Sequence, residues 1–232
     1  LKENHMAELP SFSDPDAVAR YAEGPVRMVP GFRDMQRMAS VLLAERAGDN
    51  ANILVLGAGG GLELKVFAEA QPGWRYCGVD PSAQMLVLAK ETLGSLASRV
   101  TFHEGYIDDA PEGPFDGATC LLTLHFMPAE ERRRAVTEVH RRLKPGAPFI
   151  VAHHSFPQNE PEKRLWLSRF AAFGPDQGLS FASREDMIAA IGERLPALSP
   201  EEDEKILRDA GFSDVALFYA GFTFRGWVGH RS

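Results

Sequence analysis

The chain has 232 residues, 44% of them hydrophobic and 25% charged, with a formal net charge of -7. These ordinary globular values allow a substantial core and argue against disorder, and the acidic balance argues against broad nucleic-acid binding. No apolar run approaches the roughly 18 residues that span a bilayer, and no basic-then-apolar leader opens the chain, so a cytoplasmic protein is expected.

Residues 1–5, "LKENH" before Met6, read as a cloning remnant, and residues 6–50 as an N-terminal helical cap. Within that cap Met35, Met38, Val41, Leu42 and Leu43 recur at helical spacing over 33–46, after a Pro30-Gly31 break. From residue 51 strands and helices alternate: "NILVLG", a helix over 62–70, "RYCGVD", a helix over 82–93, "RVTFHEG", "FDGATCLLT", a helix over 129–143, and "PFIVAHHS". That rhythm predicts an α/β fold, a parallel sheet with helices on both faces. Cys77 and Cys120 fall inside buried-looking strands without metal or disulfide spacing, and read as core.

After Phe156 prolines and glycines punctuate short helical pieces, "EKRLWLSRFAAF" and "SREDMIAAIGERL", which read as a lid over about 157–200. A helix over 200–210 stops at Gly211, and "VALFYAGF" and "FTFRGWVGH" close the chain as an antiparallel pair at one sheet edge.

The chemistry starts at "NILVLGAGGGLEL", where a strand runs into Gly57, Ala58, Gly59, Gly60 and Gly61. In an open parallel sheet the first strand-to-helix turn lines the ligand crevice, and glycine lets a ligand lie against main chain. A tight turn without a ligand is the alternative. A dinucleotide fingerprint wants a small residue where Leu62 stands, and a phosphate-binding loop wants a Gly-Lys-Ser/Thr that is absent. Asp80 ends the second strand, where a carboxylate can accept from both hydroxyls of a ribose; as an alternative, Asp80 or Ser82 caps the next helix. In "EGYIDDAP", Tyr106 and Ile107 can form an apolar wall and offer backbone donors for a purine, while Asp108 and Asp109 read as loop charges.

His125 follows the fourth strand and is a candidate general base, or else a structural histidine between Leu124 and Phe126. Alternation lets one of His153 and His154 face the crevice, and no acid partner stands at metal-binding spacing. Arg132, Arg133, Arg134, Arg141, Arg142 and Lys144 are interspersed with glutamates and read as a solvated helix face. Trp166, Phe170, Phe173 and Phe181 can cover an acceptor pocket, fill a lid core or form a homodimer contact.

The glycine turn, the acid after the second strand, "GYIDDAP", "FDGATCLLTLHFMP", "RRLKPGAPFIVAH" and the closing hairpin resemble class I S-adenosylmethionine-dependent methyltransferases. The resemblance implies a Rossmann-like seven-stranded sheet over 51–232, mostly parallel with an antiparallel C-terminal hairpin. It implies S-adenosyl-L-methionine as cofactor and S-adenosyl-L-homocysteine as product, and the main expectation is methyl transfer to a small-molecule acceptor. The methionine part would lie over Gly57, Ala58, Gly59 and Gly61, the ribose on Asp80 near Pro81 and Met85, and the adenine at Tyr106 and Ile107.

"VRMVPGF", "MASVLLAER", "TLHFMP" and "LRDAGFSDVALFYAGFTFRGWVGHR" further resemble the carboxy-S-adenosylmethionine synthases of tRNA wobble-uridine modification, which use prephenate. That likeness would bring Arg27, Phe32 and Leu121 to the cofactor and Arg184 to an added carboxylate. Phe32 and Leu121 stand where that subgroup has a tyrosine and an asparagine. Val55 stands where many methyltransferases have the aspartate that anchors the cofactor's amino group. A non-catalytic cofactor-binding module is a third reading.

Overall fold

The structure, a computed structural model, describes residues 23–174 and 183–232; the 1–5 remnant, residues 6–22 of the 6–50 cap, and Phe181 lie outside them. Two helices precede the sheet, α1 (Glu23–Met28) and α2 (Phe32–Ala44). The alternation follows as β1 (Asn52–Leu56), α3 (Leu62–Ala70), β2 (Arg75–Asp80), α4 (Ala83–Leu93), β3 (Val100–Glu104), β4 (Gly117–Leu121), α5 (Ala129–Arg142) and β5 (Pro148–His154). The remainder is α6 (Glu162–Phe173), α7 (Arg184–Ala189), α8 (Pro200–Asp209), β6 (Phe212–Gly221) and β7 (Phe224–Arg231).

The seven strands form one sheet in the order β3-β2-β1-β4-β5-β7-β6, parallel as far as β5. β7 pairs antiparallel with both β5 and β6, so the closing hairpin makes the edge as its sequence pattern predicts. The winding direction reverses beside β1, between β2 and β4, which opens a crevice at the carboxyl ends of these strands.

β1 reads "NILVL", with every residue after Asn52 buried, because helices cover both sheet faces. One core layer carries Val55, Leu64, Phe67 and Ile150 together with α2; the other carries Leu54, Cys77, Cys120 and Val136 against α5. Both cysteines are free, buried thiols. α4 starts where Ser82 Oγ accepts from Met85 N–H, and α8 where Ser199 and Glu202 exchange bonds in a capping box, with Pro200 in the first turn. Among the described residues no helix is long and apolar enough to cross a membrane.

The basic helix α5 requires a correction. Arg133, Arg134 and Arg141 do lie on its solvent face, paired with Glu130, Asp108 and both Glu112 and Glu138. Arg132 and Arg142, expected on the same face, are buried. The helical period places Arg132 beside Ala135, Val136 and Val139, on the face turned to the sheet. Each guanidinium is compensated there, Arg132 by Asp203 and Arg142 by Glu138.

Candidate cofactor site

The turn between β1 and α3 is fastened to the end of β2. Gly57 and Ala58 N–H groups donate to Val79 O at 2.8 and 3.0 Å, and Gly59 N–H donates to Asp80 Oδ2 at 2.9 Å. The other carboxylate oxygen, Asp80 Oδ1, accepts from Ser82 N–H at 2.9 Å. Asp80 therefore joins the turn to the helix that follows β2, while Ser82 caps that helix. Burial raises the Asp80 carboxyl and these two backbone donors partly offset it. A carboxylate offers about four lone-pair sites. Two are used, so a ribose diol can still be accepted.

Two glycines have different reasons to be there. Gly57 has φ +75, and a Cβ on it would sit 2.0 Å from Thr123 Oγ1, so the turn presses against the segment leaving β4. Gly61 has φ +78, and a Cβ there would lie 2.9 Å from the Ala89 Cα of α4. Gly61 thus provides the close helix packing that a dinucleotide fingerprint assigns to the next position, where Leu62 stands. Leu62 marks a difference of register, and the packing need is met one residue earlier.

Around this turn the structure gathers part of the expected set. Gly105 N–H donates to Asp80 O, which brings the loop after β3 beside Asp80. Tyr106 beside it is 60% exposed, whereas Ile107 is buried in the layer against α5. Asp109 is a turn-forming group here: its Oδ2 accepts from Tyr106 N–H at 3.0 Å. Met85 is buried in the first turn of α4, Pro81 is exposed ahead of it, and Leu121 is buried at the end of β4. Phe32 is buried and Arg27 exposed, in a segment tied to the hairpin by Tyr219 Oη donating to Pro30 O at 2.6 Å. Arg184 opens α7, exposed, and α7 packs on α6.

Three histidines lie buried at the carboxyl ends of β4 and β5. His125 Nδ1 accepts from the His154 backbone N–H at 3.1 Å. The His154 ring stacks on Phe224 and meets Thr223 Oγ1 at 2.9 Å. Burial, and next the neighbouring histidines, hold His125 well below its ordinary range; burial pushes His154 down to about 3. Strand alternation sends His153 the other way, against Trp227 and within 3.2 Å of Asp203 Oδ2. Of the lid aromatics, Phe170 packs on His154 and Phe224, Phe173 meets Phe222, and Trp166 lies under Arg169 and Arg225.

A hollow of about 340 Å³ runs along charged residues of α5, and one of about 360 Å³ opens near the amino ends of β1 and β2. Neither is at the carboxyl ends of the strands, where the glycine turn and Asp80 converge.

Residues 54–149, from β1 into β5, match the family model described as a methyltransferase domain. Over these residues the chain is similar in sequence to methyltransferase domains, and it shares the fold of solved S-adenosylmethionine-dependent methyltransferases. It is 24% identical over 222 residues to the carboxy-S-adenosyl-L-methionine synthase of Chromohalobacter salexigens, covering 94% of this chain and 82% of that one. It is 29% identical over 201 residues to the demethylmenaquinone methyltransferase of Lactiplantibacillus plantarum, covering 84% and 81%. Human N-acetylserotonin methyltransferase, solved in complex with SAM, shares the fold with a TM-score of 0.67 at 14% identity, over 95% of this chain and 57% of that chain. The chain thus spans somewhat under three fifths of that methyltransferase's length.

Glu63 and Thr123 escaped the sequence reading. Thr123 becomes visible only when the packing against Gly57 is known. Glu63 stands two residues past the last glycine, a signal that helical periodicity does not flag.

Proposed function

We propose that this methyltransferase domain binds S-adenosylmethionine at the β1–α3 turn and transfers its methyl group to a small molecule. The observation that carries the reading is Asp80: its carboxylate holds Gly59 and Ser82 and keeps acceptor sites for a ribose, at the switch point of the sheet. The cofactor supplies an already activated methyl group. Gly57, Ala58 and Gly59 would seat its methionine part, Asp80 its ribose, and the Tyr106–Ile107 segment its adenine. The chain's remaining tasks are to align the acceptor and exclude water.

His125 fits a structural role better than a basic one. Its Nδ1 already accepts a backbone hydrogen bond, so the neutral ring carries its proton on Nε2 and has no free lone pair for an acceptor's proton. An acceptor that is deprotonated at working pH needs no such base.

Calorimetry with S-adenosylmethionine and S-adenosylhomocysteine tests the reading. Binding in the micromolar range is expected, and no heat from either ligand well above that range rejects it.

A second reading is favoured by the match to the C. salexigens enzyme: synthesis of a carboxylated cofactor from S-adenosylmethionine and prephenate. Phe32 and Leu121, both buried and apolar, weigh against it because they supply no polar group to a carboxylate. Mass spectrometry after incubation with prephenate separates the two, since the added carboxyl changes the ligand's mass.

A further inference from the structure

Glu63 stands in the first turn of α3, directly after the glycine turn, and is 7% exposed. Its carboxyl is folded back toward the α3 N-terminus, where its own backbone N–H donates to it, and Oε1 has no hydrogen-bond partner. Its titratable neighbours are Asp80 at the end of β2 and Cys120 near the end of β4, both coupled to it electrostatically. The carboxyl is therefore within electrostatic reach of both the end of β2 and Cys120.

A buried polar atom left unsatisfied costs about 1–3 kcal/mol, so Oε1 as it stands weighs against the fold. Burial, with repulsion from Asp80, raises it to about 8, so it is protonated and neutral at pH 7 in the ligand-free protein. The Cys120 thiol is pushed up by burial and also stays neutral. A cation reaching Oε1 would satisfy it and favour its ionised form. Val55, two residues before Gly57, is fully buried among apolar neighbours and offers no carboxylate.

We propose that Glu63 is the carboxylate that receives the α-ammonium of the cofactor, and that it releases its proton to solvent as the ammonium arrives. Only the carboxyl O–H breaks; the ammonium keeps its protons and pairs with the carboxylate. The proposal rests on the cofactor reading above and assigns the acid to α3, where Val55 has removed it from β1.

The test is calorimetry at pH 7 in buffers of differing ionisation enthalpy, on the wild type and Glu63→Gln. S-Adenosylhomocysteine is compared with 5′-methylthioadenosine, which shares the nucleoside and lacks the amino acid. The wild type should release close to one proton per S-adenosylhomocysteine bound and none with methylthioadenosine. Glu63→Gln should release none, bind S-adenosylhomocysteine at least about ten-fold more weakly, and bind methylthioadenosine as the wild type does, which also shows that the site is folded. Equal S-adenosylhomocysteine affinity in the two proteins, or proton release that persists in Glu63→Gln, overturns the proposal and leaves the cofactor reading intact. No binding of either ligand by the wild type overturns both.

Discussion

Asp80 holds two backbone N–H groups that have no substitute acceptor, so its removal affects the empty protein as well as the complex. Asp80→Ala should lower stability by about 1–3 kcal/mol in denaturant titration and weaken S-adenosylhomocysteine binding at least several-fold. Stability lost with affinity unchanged would show that the carboxylate serves the turn alone. Gly57→Ala combines a left-handed backbone with a clash on Thr123 Oγ1, and should cost at least about 2 kcal/mol in the same titration. Removing that oxygen with Thr123→Ala should restore part of the loss. At this scale the sequence pointed to Gly57, Gly59 and Asp80 because backbone freedom and strand-end position are visible in one dimension. Glu63 was not visible: a glutamate in a first helical turn ordinarily faces water beside the helix dipole, and only the fold buries it.

Between elements, the placement of α8 depends on one buried ion pair. Arg132 of α5 donates from Nη1 to Asp203 Oδ1 of α8 at 2.5 Å and from Nη2 to Pro196 O at 2.9 Å, while His153 of β5 approaches the other carboxylate oxygen. Burial works against the Asp203 carboxylate, but His153 and Arg132 outweigh it and hold the group below its ordinary range. Arg132→Met should therefore cost about 3–5 kcal/mol, because it leaves a buried carboxylate facing only His153 among its two ion-pair partners. Arg132→Met combined with Asp203→Leu should recover much of that, and additive losses in the double-mutant cycle would show that the two are not coupled. Strand and helix existence was legible in the sequence, since period 2 and period 3.6 patterns are local. The pairing of α5 with α8 was not, because Arg132 sits in a run of charges whose sorting into buried and exposed depends on which face meets the sheet.

For the molecule as a whole, the buried titratable groups around the crevice give a stability profile with two limbs. His154, held near 3 in the fold, and His125, also depressed, stay neutral while their unfolded counterparts take up protons near pH 6.5. Their contribution is therefore present above about pH 6.5 and is lost as pH falls from there toward 3. Glu63 has the opposite sign in an overlapping window. Its unfolded carboxyl ionises near 4.5 whereas the folded one keeps its proton to about 8, so the ligand-free protein loses stability as pH rises between those values. The linked loss is on the order of 5 kcal/mol at most. Thermal denaturation of the ligand-free wild type should pass through a maximum near pH 6 and decline on both sides. In Glu63→Gln the acid limb should remain while the decline from about pH 6 to 8 flattens. Parallel wild-type and variant profiles across that window would mean that Glu63 is ionised in the empty fold. Saturating S-adenosylhomocysteine should flatten the wild type's alkaline limb, since a paired Glu63 carboxylate no longer favours its proton.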